Sequence, residues 1–74
     1  MSKAVANDNL PILMSPKEAA AQTSLSRQLL MLMARAGQFP APVQLGERRT
    51  AYVRSEVVGW LNDRIAARTQ RAAA

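Results

Sequence analysis

Residues 15–37, SPKEAAAQTSLSRQLLMLMARAG, carry the reading that decides the fold. Ser15 is a good N-cap, Pro16 suits the first helical position, and Glu18 completes an S-x-x-E capping box. A helix is therefore predicted from Pro16 to about Gln22. It should bury Ala19 and Ala20, whose small side chains let a second helix approach closely. Thr23, Ser24 and Leu25 leave room only for a tight turn. Ser26 then caps a second helix, Arg27 to Ala36, with Gly37 as its C′ residue and Pro40 forbidding continuation. Two short helices across a three-residue turn outline a helix-turn-helix.

Working outward, the period changes. Val43 and Leu45 alternate with Gln44, Gly46 to Arg49 form a charged turn, and Thr50 to Val53 alternate again. That pattern predicts a two-stranded hairpin, or wing, with its tip near Gly46. Ser55 reads as the cap of a third helix over 56–68. Its Val57, Trp60, Leu61 and Ile65 form one buried stripe, with the Arg64 stem along the edge. Upstream, Leu10 to Met14 make a short extended apolar segment. Residues 1–12 and 69–74 read as flexible tails around a domain at 13–68. The fold class is mainly α with a small β-hairpin, a winged helix-turn-helix. Its expected core is Leu25, Leu30, Met33, Leu45, Tyr52, Val57, Trp60, Leu61 and Ile65, with Tyr52 and Trp60 as core aromatics.

The 74 residues hold one small domain. Cys and His are both absent, which excludes disulfides and removes the commonest metal ligand and general base. Two Asp and three Glu are scattered, and no Gly-rich phosphate loop occurs. No enzyme, metal, cofactor or small-molecule substrate is expected. Ten Lys+Arg against five Asp+Glu give a net charge of +5, and eight of the ten cations are arginine. Such a balance points to an anionic polymer, either nucleic acid or a membrane surface. The membrane is the poorer reading, because the third helix sets Asn62 and Asp63 on its polar face. No signal peptide or 18-residue apolar run is present, so a cytoplasmic, nucleoid-associated protein is expected.

Three pieces of the chain resemble a known family. They are Leu25-Ser26-Arg27, then Phe39-Pro40-x-Pro42-Val43-x-Leu45-Gly46, then Ser55-Glu56-Val57-x-x-Trp60-Leu61. In this order and spacing they make Leu13 to Arg68 similar to the AlpA-type phage regulators of the excisionase-like, MerR-like winged helix-turn-helix group. The resemblance implies binding of double-stranded DNA in the service of a bacterial mobile element or prophage. One role it implies is a recombination directionality factor that self-associates on DNA and steers an integrase toward excision. The other is a transcriptional activator of an integration or excision gene. A reading of a different class is a protein-interaction adaptor that uses the apolar second helix and binds no DNA.

The candidate contacts follow from the wheel of the second helix. With Leu30, Met33 and Ala34 facing inward, Arg27, Gln28, Met31 and Arg35 turn outward. Arg27 suits guanine, Gln28 suits adenine, and Met31 suits a thymine methyl. Ser26 can hold a phosphate as well as the cap. Arg48 and Arg49 reach the flanking minor groove or its phosphates, while Lys17 and Arg54 are phosphate contacts that set register. Arg64, Arg68 and Arg71 read as a solvated face. Leu29, Met31 and Leu32 stand where relatives commonly carry polar residues, and Leu29 and Leu32 are assigned to contact with a neighbouring protein. Ser24 stands where relatives often have Gly. A left-handed turn there would cost about 1–2 kcal/mol.

Overall fold

The structure is a computed structural model that describes residues 10–73, with side chains described through Arg68. Most of the expected N-terminal tail (residues 1–9) and the Arg71 side chain lie outside the described residues. Helix α1 (Pro16–Thr23) opens where Ser15 Oγ accepts the Glu18 N–H at 3.0 Å. The other half of the expected capping box is replaced, because the Glu18 carboxylate turns to Arg54 at 2.8 Å. Helix α2 (Arg27–Arg35) opens in the same way, with Ser26 Oγ accepting the Leu29 N–H at 3.0 Å.

The turn between them is stitched by its own residues. Ser24 is left-handed at φ 64° and donates its N–H to the Ala20 carbonyl at 2.8 Å. Thr23 Oγ1 donates to the Ala19 carbonyl at 2.9 Å and accepts the Leu25 N–H at 3.2 Å. At the far end of α2, Gln38 N–H reaches the Met33 carbonyl and Gly37 N–H the Ala34 carbonyl. This 6→1 and 5→2 pair is a Schellman closure, and Gly37 supplies its left-handed residue at φ 78°.

The expected hairpin is present as β2 (Val43–Gly46) and β3 (Arg49–Val53). A third strand, β1 (Leu13–Met14), joins it from the apolar segment before α1, giving the antiparallel order β1-β3-β2. The register pairs Leu13 with Val53 and Met14 with Tyr52 on one side of β3. On the other side it pairs Val43 with Ala51, Gln44 with Thr50 and Gly46 with Arg49. The register slips between Gln44 and Gly46, so Leu45 has no opposite number and is 53% exposed. Leu45 therefore leaves the expected core: a bulge breaks the alternation that would have turned it inward.

Helix α3 (Arg54–Ala73) follows β3 without a loop. The junction is set by the Arg54 N–H bonded to the Ile12 carbonyl at 2.8 Å, and Ser55 lies inside the first turn rather than capping it. The helix also passes the Arg68 boundary expected from sequence. Its second correction is Ile65, which is 54% exposed because α3 outruns the elements packed against it.

The core comprises Met14, Ala19, Leu30, Phe39, Tyr52 and Val57, with Leu25, Met33, Trp60 and Leu61 partly buried against it. Phe39 and Met14 are additions to the expected set. Phe39 is the middle of an aromatic chain, meeting Tyr52 edge-on at 5.4 Å and Trp60 at 4.9 Å. Trp60 Nε1 donates to the Gln38 carbonyl at 2.8 Å, which ties α3 to the closure of α2.

Candidate nucleic-acid interface

The Schellman closure and the buried Leu30 fix which side of α2 faces solvent. Arg27, Gln28, Met31 and Arg35 are all exposed. At 3.6 residues per turn they fall within an arc of roughly 100°. Leu32 and then Leu29 continue the exposed surface around the helix, at 53% and 40% exposure. The helix thus presents a mixed surface, with cations and an amide on one flank and bare aliphatic side chains on the other. Ser26 is exposed at the start of this helix, and its Oγ is engaged in the cap.

The wing turn carries Arg48 and Arg49, both exposed. They line a cleft of about 380 Å³ together with Ser15 and Pro16 at the start of α1, and with the bulged Leu45. Two guanidinium groups and the positive end of a helix therefore share one concave surface. Lys17 is exposed in the first turn of α1. Gln44 Nε2 bonds to the Gly46 carbonyl across the turn, which holds the tip that presents the arginines.

Arg54 is placed differently from the sequence expectation. Its Nε donates to the Pro11 carbonyl at 2.7 Å and its Nη1 meets Glu18 at 2.8 Å, leaving the side chain 14% exposed. It works as an internal strut between the segment before β1 and the start of α1. No local pattern announces this role, since its partners lie far back in the chain. Burial pushes the Tyr52 phenol up from its ordinary value. Among the described residues, no helix is long and apolar enough to cross a membrane, and no group of three or more His, Cys, Asp or Glu could hold a metal ion.

Residues 13–65, from β1 through most of α3, match the family described as Prophage CP4-57 regulatory protein (AlpA). The chain belongs to the AlpA family of phage regulatory proteins. The span matched to the AlpA family contains the helix-turn-helix, the wing and the Arg54 junction. A protein of Enterobacteria phage P4, described as Uncharacterized protein ORF88, is 43% identical over 44 residues. That alignment covers 60% of this chain and 50% of the phage protein, so the chain spans about half the length of that relative. No solved structure matches.

Proposed function

We propose that this AlpA-family protein binds double-stranded DNA and acts as a recombination directionality factor, or excisionase, of a bacterial mobile element or prophage. The observation that carries the reading is the exposed arc Arg27, Gln28, Met31 and Arg35 on a capped nine-residue helix, accompanied by a wing that ends in Arg48 and Arg49. Nine residues span about 14 Å, which suits a helix lying in a major groove of about 12 Å width. In this reading Arg27 and Gln28 meet base edges. Ser26, Lys17, Arg48 and Arg49 hold phosphates, with the wing arginines also able to enter the minor groove. Arg35 extends the positive flank at the end of the helix. The exposed Leu29 and Leu32 support contact with an adjacent protein on the DNA, either a second copy or the integrase.

Transcriptional activation of an integration or excision gene is the second reading, favoured by the regulatory description of the family. It uses the same surface. Footprinting across the element's attachment site and its integration-gene promoter separates the two. Regularly spaced protection at the attachment site is expected. Protection confined to the promoter assigns the protein to activation, and protection at neither site sinks both roles.

A further inference from the structure

A second concave surface lies where α3 meets the open side of the wing. Pairing of β2 with β3 stops at Val43 and Ala51, so Val53 has no partner on that side. Pro40 and Pro42 lack the N–H that would prolong the ladder. A shallow groove of about 670 Å³ opens there, with Pro40, Val43, Val53 and Trp60 among its walls.

The two charged residues that line it, Glu56 and Asp63, are both acidic in a chain whose net charge is +5. Glu56 and Asp63 both line the groove and are both exposed, about two turns apart on α3. Glu18 is paired with Arg54, and Glu47 sits in the wing turn. The two acids of α3 therefore flank one apolar floor in a chain of net charge +5. Neither forms an ion pair with a described residue. Phosphate is repelled by such a rim, and a cationic side chain is attracted. The indole already attracts one cation from its own chain, the Arg64 guanidinium 5.7 Å from the Trp60 ring centroid.

Gly59 lies between the two acids in sequence and lines the same groove. Glycine inside a helix costs about 1 kcal/mol relative to alanine. Packing within the chain does not require it, because a Cβ added at Gly59 meets nothing within 4 Å. What the missing side chain does provide is depth in the groove.

We propose that this groove docks a basic segment of a partner protein. One bulky apolar side chain of that segment sits against Trp60 beside Gly59, and flanking Arg or Lys side chains pair with Glu56 and Asp63. The proposal stands apart from the DNA-binding reading, since it uses none of the residues assigned to DNA.

Trp60 is the sole tryptophan of the chain, so its emission reports on the groove directly. The full chain is titrated with a synthetic peptide holding one leucine between arginine pairs in a Gly/Ser background. A saturable change in Trp60 emission is expected, and a peptide with alanine for the leucine, or glutamates for the arginines, should give none. The double variant Glu56→Gln/Asp63→Asn should bind the peptide about tenfold more weakly, with DNA affinity unchanged. Gly59→Leu fills the groove and should abolish peptide binding, while Gly59→Ala keeps part of it. Circular dichroism checks the fold of each variant, and if Gly59→Leu does not fold the carboxylate variant decides. The proposal is overturned by the absence of saturation, by equal binding of the alanine peptide, or by unchanged affinity in the carboxylate variant. A sedimentation mass that rises with protein concentration and falls back in that variant, without peptide binding, gives the groove to a second copy and also overturns it.

Discussion

At the scale of single residues, Ser24 and Tyr52 carry consequences out of proportion to their size. Ser24 occupies the left-handed region at φ 64°, where its Cβ crowds the backbone. Hydrogen bonds from Thr23 and Ser24 to Ala19 and Ala20 hold the turn against that cost. Ser24→Gly should therefore raise stability by about 1 kcal/mol, seen as a higher urea midpoint at constant m-value. A lowered midpoint would show that the serine relieves its own strain. Tyr52 is 3% exposed, and burial raises its pKa because the phenolate is the form that loses hydration. The folded pKa lies above the unfolded value of about 10, so the unfolded chain gives up its proton first. Stability held by the neutral phenol is full below about pH 10 and is lost as pH climbs through the folded pKa. As the sole tyrosine, Tyr52 can be titrated by phenolate absorbance. Its midpoint should lie above that of the urea-unfolded chain, and Tyr52→Phe should blunt the alkaline loss of stability.

At the scale of elements, α2 and the wing make separable predictions. Arg48→Ala/Arg49→Ala removes two cations from the wing turn. The log–log salt slope of DNA affinity should shrink by about 2, with similar loss on every sequence. An unchanged slope would mean that the wing stays clear of DNA. Arg27→Ala should act at particular bases, relaxing discrimination there by about 1–3 kcal/mol in competition assays. A uniform loss over all sites would class Arg27 with the phosphate contacts. The exposed face of α2 that carries the candidate residues was legible in the sequence, because the cap Ser26 and the closing Gly37 fix the phase of the helix locally. The wing was less legible. Its turn was plain from Gly46 to Arg49, but the bulge that expels Leu45 depends on how β2 registers against β3.

For the whole molecule, the decisive contact is the Arg54 strut. One guanidinium joins the segment before β1, through the Pro11 carbonyl, to α1, through Glu18, from a residue at the β3–α3 junction. It thereby sets the helix-turn-helix against the wing. Glu18 is 40% exposed, so solvent screens the pair, and Arg54→Ala should destabilise by about 1–2 kcal/mol. The salt slope of DNA binding should stay near that of the parent, because the strut is directed inward. A slope reduced by about 1 would instead return Arg54 to the phosphate contacts. For so small a domain a change of that size is a large share of the total stability. DNA present in excess should restore much of it by mass action, visible as a larger rise in melting temperature on adding DNA.

The sequence alone determined what neighbouring residues can settle among themselves. The starts of α1 and α2, the tight turn, the left-handed stop at Gly37 and the position of the wing all follow from side chains within about four residues of the backbone they govern. Tertiary structure alone decided the contacts between distant parts of the chain. Phe39 entered the core because α3 brings Trp60 and β3 brings Tyr52 to its ring, and Met14 because β1 pairs with Tyr52. Ile65 left it because α3 extends past its neighbours. Arg54 found Glu18 and Pro11, the latter 43 residues away in sequence. The acidic groove arises at the meeting of a broken ladder and a helix face, and neither half alone predicts it. Periodicity and capping report the local backbone state, whereas burial and pairing depend on which surfaces the folded chain brings together.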